Sequence, residues 1–196
     1  MANTVKDTVA TRKVAIVAAD GVHSDSLRAM MDALIAAGAA GKIVAPRLGV
    51  LKGEDGGEFM IDFSLLTASS VLFDAVYLPG GKRSVAALSD ERDAVDFLTD
   101  AYRHCKTIAA TGEAVGFLRS LPGILDARST NGRKDKEGEL TDPGIVLAAT
   151  GLTPQTAQTF IKALAQHRHW NRRRKNHLGP TPGDDETRGR GVLASK

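Results

Sequence analysis

The residues of this 196-residue chain that could do chemistry are a glycine pair, a strand-to-helix Thr-Gly and one thiol. Leu78-Pro79-Gly80-Gly81 ends an apolar run, and its unhindered backbone N–H groups could cradle an oxyanion or phosphate. The same pair suits a tight strand-to-helix turn that only glycine fits, and Gly-Gly alone favours that reading. Ala110-Thr111-Gly112 has the outline of a nucleophile elbow, which presents one side chain at a helix N-terminus with Gly two residues later. The position two before the glycine is Ala110, which carries no nucleophilic atom. Thr111 has a hydroxyl, but a threonine nucleophile needs an adjacent base. The one carboxylate nearby in sequence is Glu113, placed to stabilise a helix N-terminus electrostatically. Cys105 falls at a helix end whose dipole disfavours a thiolate, although His104 and Lys106 flank it, so a structural role is expected.

Two further groups invite a functional reading. His23 follows the first strand, close to where a site would open, and a hydrogen-bonded loop histidine is the competing reading. His167 and His169 close the last helix with Trp170; a spacing of two does not put both imidazoles on one face, so helix-end caps are expected and no metal site.

The elements that must position these residues follow from hydrophobic periodicity. Lys13–Ala19, Lys42–Ala45, Phe73–Pro79, Thr107–Thr111 and Ile145–Ala149 read as strands buried on both faces. Ser24 is expected to cap a helix whose apolar face is Leu27, Met30, Met31, Leu34 and Ile35, with Gly38 as its stop. Asp90 is expected to cap another, carrying Ala94, Phe97, Leu98, Ala101 and Tyr102 on its buried face. A short helix follows Gly112 through Ser120, and Thr153 with Pro154 opens the last one, with Phe160, Ile161, Leu164 and Ala165 inward. Two apolar pieces around Asp55-Gly56 predict a β-hairpin over 48–61, and residues 121–143 read as an irregular loop. Strands alternating with helices specify an α/β, doubly wound parallel sheet covered on both faces. The expected division is a flexible lead-in at 1–12, one domain at 13–170 and a basic, disordered tail at 171–196. Sites in such sheets lie at the carboxyl ends of the strands, which here means Asp20–Asp25, Pro79–Ser84 and Ala110–Glu113.

Composition narrows the function classes. Apolar residues make up 42% and charged ones 25%, the balance of a chain that can bury a core. One cysteine excludes an intrachain disulfide framework and a Cys-rich zinc site, and fits a reducing, cytoplasmic setting. No run of residues reaches the roughly 18–20 apolar positions of a membrane span, and residues 1–12 lack the apolar stretch of a signal peptide. The formal charge of +3 comes from the tail, which from Asn171 holds seven basic and three acidic residues. Arg172–Lys175 could touch nucleic acid, yet without interleaved aromatics or a recognition motif only nonspecific contacts are expected.

KVAIVAADG, FDAVYLPGG and KTIAATGEAVGFL together resemble the DJ-1/PfpI branch of the class I glutamine amidotransferase-like superfamily. DAYRHCKTIAATGEA and PGIVLAATGL…FIKALAQHRHW are similar to the carboxyl-terminal flavodoxin-like domain of large-subunit catalases, so that the resemblance covers roughly residues 12–171. It implies a flavodoxin-like fold. It also places the family nucleophile on Ala110, the following His of protease-like members on Thr111, and the partner Glu on or near Ser26. What survives of the family pocket is Gly80, Gly81 and Gly112, an oxyanion hole with nothing to form the oxyanion. The resemblance assigns haem chemistry to a separate, preceding domain. Tyr77 and Tyr102, the two tyrosines, read as core residues with no closely preceding arginine of the haem-ligand kind.

The resemblance therefore implies a non-catalytic module, without cofactor, acting in stabilisation, assembly or chaperone-like protection under oxidative stress. Its expected partners are further copies of itself, a haem catalase core or unfolded clients. Met1 and the lead-in fit either a free-standing protein or an excised domain. Two alternatives stand beside this reading. One is a hydrolase, amidase or glyoxalase/deglycase using a displaced nucleophile such as Thr111 or Cys105; the other is a small-anion sensor built on the three glycines.

Overall fold

Residue alternation along the central strands sends side chains to two separate cores, and that requires helices on both sides of one sheet. The computed structural model describes residues 8–124, 140–142 and 144–172. Its main sheet has seven strands: β1 (Lys13–Val17), β2 (Ala40–Ala45), β5 (Phe63–Ser64), β6 (Ala75–Leu78), β7 (Thr107–Thr111), β8 (Leu140–Asp142) and β9 (Ile145–Ala148). They lie in the order β5-β2-β1-β6-β7-β9-β8, all neighbours parallel except β8, which runs antiparallel to β9 at the edge. The chain steps outward from β1 to β2 and later returns to the other side of β1 as β6. The switch in strand order lies between those two strands, as in a flavodoxin-like, doubly wound fold.

On one face, Val14, Ile16, Tyr77, Ala109 and Val146 pack under α1 (Ser24–Ala36) and α5 (Pro154–Ala165). On the other, Val17, Val76, Leu78, Ile108 and Leu147 pack under α2 (Lys82–Asp90), α3 (Arg92–Arg103) and α4 (Ala114–Ser120). The expected hairpin forms as β3 (Val50–Lys52) against β4 (Glu58–Met60), turning through Asp55-Gly56 with Gly56 at φ 81°.

Several expectations need correction. Asp90 ends α2 rather than capping a helix, and Glu91 is the cap residue of α3. The helix α2 has little apolar signal because it buries only Ser84 and Leu88. His23, not Ser24, caps α1: its Nδ1 accepts the Ser26 N–H at 3.2 Å, while the Ser24 hydroxyl turns to Asp55 in the hairpin. Ile35 points outward at 65% exposure, so the buried stripe of α1 is Leu27, Met30 and Leu34. The stretch read as loop contains β8, and its residues 125–139 lie outside the described residues. Val9, Arg12 and Arg172 are all buried, so the packed part passes both expected boundaries; residues 173–196 of the expected tail lie outside the described residues.

Candidate functional site

The three strand ends singled out in the sequence do meet, and they meet as backbone on backbone. The His23 N–H donates to the Gly80 carbonyl at 2.9 Å. Gly81 sits at φ 119°, and a Cβ there would lie 2.8 Å from His23 N, 2.9 Å from Val22 Cα and against the Gly21 carbonyl. Gly112, at φ 56°, backs onto Gly80, whose Cα lies 3.4 Å from where a Gly112 Cβ would be. Only glycine satisfies both the left-handed backbone and the close approach at Gly81.

The expected elbow does not form at Ala110. Ala110 lies inside β7, in register with Leu78 and Leu147, its side chain fully enclosed in the core beneath α3 and α4. The strand continues through Thr111. The residue that leaves it with positive φ, just before α4, is Gly112. The positive φ thus falls on the glycine of the motif, and Ala110, where the family nucleophile would stand, keeps ordinary strand backbone and a methyl side chain.

Glu113 follows at once and turns back. Its Oε2 accepts the Gly81 N–H at 3.0 Å, and that bond, then its own backbone N–H, holds the carboxyl below the usual glutamate range. The backbone donor that would hold an oxyanion already holds a carboxylate of the protein. Thr111 is buried, its hydroxyl 3.0 Å from the Tyr77 phenol; Ser26 bonds the same phenol, whose pKa burial pushes well up. The Thr111 and Ser26 hydroxyls thus share one buried phenol. His23 links α1 to the hairpin, with Nδ1 on Ser26 and Nε2 3.3 Å from Glu54, which fits the neutral tautomer protonated at Nε2.

Cys105 is brought to none of this. It precedes β7 at the opposite end of the sheet, about 16 Å away along a five-residue strand. It is buried, at φ 56°. Near it lies a set of polar groups, Arg172, Lys106 and His169, whose burial has no local sequence signal. Arg172 donates to the carbonyls of Tyr102 and Lys106, both at 3.1 Å, and stacks 4.5 Å from the Tyr102 ring centre. Lys106 is buried, donates to the Ser70 carbonyl, and has its pKa drawn down to about 8, first by burial and then by Arg168. His169 is 3.0 Å from the Thr107 hydroxyl, its pKa lowered to about 4 by burial first and then by Arg172. His167 turns instead to Asp74, 3.5 Å away, so the two imidazoles diverge. Among the described residues no group of three or more His, Cys, Asp or Glu is arranged to hold a metal ion.

Neither tyrosine is set up as a haem ligand, since Tyr77 is bonded within the core and Tyr102 lies under Arg172. A cleft of about 240 Å³ opens one strand away from the glycines, at the ends of β1 and β2, lined by Asp20, Arg47, Leu51, Ile61, Ala87 and Glu91 among others. Asp20 closes part of its rim, accepting from the Lys52 N–H at 2.9 Å and from Arg47 at 3.3 Å. Among the described residues no helix is long and apolar enough to cross a membrane.

Comparison with known proteins places this geometry. Residues 10–174 match the C-terminal domain found in long catalases. The chain is 40% identical over 171 residues to catalase HPII of Mycobacterium avium, covering 85% of this chain and 23% of that protein. It is 35% identical over 172 residues to catalase-2 of Bacillus subtilis, covering 88% and 22%. The chain thus spans under a quarter of the length of these relatives. Among solved structures, a ThiJ/PfpI domain protein from Brachyspira murdochii superposes with a TM-score of 0.66 at 20% identity, covering 80% of this chain and 95% of that one. Oxidised DJ-1 from Toxoplasma gondii superposes with a TM-score of 0.61 at 15% identity, covering 85% and 98%. At those identities the likeness is one of fold.

Proposed function

The chain belongs to the family of C-terminal domains found in long catalases, and we propose that it serves as a non-catalytic module that stabilises or assembles a haem catalase core. The observation that carries this reading is the corner after β7: Ala110, where the family nucleophile would stand, is a buried strand residue, and the Gly81 donor is taken by Glu113. An acyl-transfer or glyoxalase-type site needs a nucleophile beside an open oxyanion hole, and this corner offers neither. Thr111 and Cys105, the candidates for a displaced nucleophile, are both buried and bonded elsewhere. The same Glu113 contact argues against the small-anion sensor built on Gly80, Gly81 and Gly112. Chaperone-like protection and self-association rest on resemblance and are weaker companions of the same reading.

The test mixes the purified chain with a long-catalase haem core lacking this domain. Co-elution, together with slower heat inactivation of the core, is the expected result. Hydrolysis of an activated ester or consumption of an α-oxoaldehyde, lost on Thr111→Val or Cys105→Ala, would replace the module by an enzyme. Protection of an unrelated heated client without binding to the core would favour the chaperone-like reading.

A further inference from the structure

The cleft of about 240 Å³ at the carboxyl ends of β1 and β2 combines an apolar floor with a charged group that has no partner. The floor is aliphatic. Ala45 and Leu51 are buried, Pro46 and Ile61 half-buried, and Ala87 supplies a wall from the last turn of α2. Three charged side chains line the same space, Asp20, Arg47 and Glu91, and two of them offset each other. Asp20 accepts from Arg47 Nη2 at 3.3 Å through Oδ2 and from the Lys52 N–H at 2.9 Å through Oδ1, so both oxygens of its carboxylate are engaged. Glu91 differs. It is half-buried at the junction of α2 and α3, and although it is the cap residue of α3, its carboxylate bonds none of that helix's N–H groups. It has no hydrogen-bond or ion-pair partner among the described residues. The adjacent Arg92 reaches Asp96 instead, at 3.7 Å.

A carboxylate beside aliphatic surface gives up part of its hydration, and no group of the cleft replaces it. With Arg47 matched to Asp20, the lining carries one net negative charge, which selects a cation. The rest of the lining decides which kind. A metal ion needs several oxygen ligands converging on one point, and the aliphatic floor supplies none. An organic cation can also cover Leu51 and Ile61, which an inorganic one leaves in water. The lining has no aromatic ring, so a quaternary ammonium would gain nothing from cation–π contact, whereas a primary ammonium brings three N–H donors for a carboxylate. The volume lies below the roughly 300–1,000 Å³ of drug-sized pockets, so the hydrocarbon body must be short.

We propose that this cleft binds a small aliphatic primary amine, its ammonium group on the Glu91 carboxylate and its hydrocarbon chain against Leu51, Ile61 and Ala87. The site is separate from the corner of Gly80, Gly81 and Gly112 and does not depend on the module reading. The test titrates the full chain at neutral pH and constant ionic strength with isoamylamine, and with its neutral and anionic counterparts isoamyl alcohol and isovalerate. Binding is read by saturation-transfer NMR of the ligand methyl groups and by the melting temperature. The amine is expected to bind saturably, the alcohol about fivefold more weakly and the carboxylate weakest, the first step being that of one part-exposed ion pair. Glu91→Gln should bring the amine down to the affinity of the alcohol and leave the alcohol where it was. Ala87→Leu, at an exposed helix position that accepts a larger side chain, should fill the cleft and abolish binding of both. Asp25→Asn, which removes an exposed carboxylate on α1, should change nothing. An unaltered chain that does not respond to the amine would overturn the proposal. So would equal affinity for amine and alcohol, or a Glu91→Gln variant that keeps the advantage of the amine, since either would make the cleft an apolar groove without charge preference. Amine binding that survives Ala87→Leu in full would place the amine elsewhere and overturn it as well.

Discussion

The two ends of this sheet carry opposite kinds of structure. At the carboxyl ends of the strands, where doubly wound folds place their ligands, three glycines press backbone against backbone and one exposed carboxylate closes the remaining donor. At the amino ends, Arg12, Lys106, His169 and Arg172 are buried among carbonyls and hydroxyls. The glycine corner at the end that fold geometry reserves for chemistry is closed by backbone contacts and the Glu113 carboxylate, and the end usually left to packing buries a set of charged groups. Shared fold therefore fixes where a site would lie without fixing that one exists.

Gly81→Ala tests how tightly the carboxyl end is sealed and should have the largest effect. A β-carbon at φ 119° would meet the Gly21 carbonyl and crowd His23 N, and both are backbone atoms with little freedom to move. Adding the cost of a left-handed L-residue to that of overpacking gives a loss of about 3–5 kcal/mol, measurable as a shift in urea midpoint. Gly144→Ala, at φ 77° against the buried His169 ring, is the matching probe at the other end. It should cost less, because a side chain can give where backbone cannot. Equal losses would make the two ends equally rigid and break the contrast.

Arg172→Met probes the buried charges directly. The substitution keeps an unbranched apolar side chain but removes the guanidinium from the Tyr102 ring and leaves the Tyr102 and Lys106 carbonyls without their charged donor. A loss of about 2–4 kcal/mol in denaturant unfolding is expected for removal of a buried, bidentate, charge-assisted contact. A change below about 0.5 kcal/mol, the level of ordinary surface substitutions, would return Arg172 to the loose tail that its Arg-Arg-Arg-Lys context suggests.

Much of the fold was legible because it follows from strong periodicity. The five apolar runs became the five central strands, and the Asp-Gly turn between short apolar pieces became the hairpin. What escaped was the weakly patterned part. The helix α2 exposes both Ala86 and Ala87 and buries little, and β5 is only two residues long, too short to show a period. The site was half legible. Glycines that must approach one another leave a composition signal, so Gly80, Gly81 and Gly112 were found. A short Ala-Thr-Gly run does not say where a strand stops, so strand backbone at Ala110 and the positive φ at Gly112 are visible only in the structure. Lys106, Arg12 and Arg172 looked like surface residues, since a burial that depends on carbonyls from distant segments has no local signature.

The pH dependence of stability separates the two ends. His169 is kept neutral in the fold, its pKa lowered to about 4 from the ordinary 6.5, and His167 is shifted in the same direction. Above pH 6.5 both folded and unfolded chains carry these imidazoles neutral, and the contribution is complete. As pH falls from about 6.5 toward 4, the unfolded chain takes up the proton and the folded one does not, so stability is lost across that window. Urea midpoints measured from pH 7 to 4.5 should decline, and His169→Gln should flatten most of the decline. An undiminished slope in that variant would assign the titration to other groups.

Glu113→Gln should have the smallest effect and bears most directly on function. The Glu113 carboxyl is lowered by the Gly81 N–H, so its contribution is present above the ordinary glutamate range and is lost as pH falls from that range through the folded value. Because the side chain is exposed, solvent screening limits the loss at neutral pH to about 0.2–1 kcal/mol. The difference from the unaltered chain should shrink as pH falls below the ordinary glutamate range, which urea midpoints at pH 7 and pH 3 would check. Glu113→Ala goes further by exposing the Gly81 donor. If the corner is an oxyanion hole closed by its own carboxylate, that variant should show saturable stabilisation by acetate where the unaltered chain shows none. Failure to gain it would mean that the glycines pack too closely to admit any anion, and that Glu113 caps a turn which had already lost its pocket.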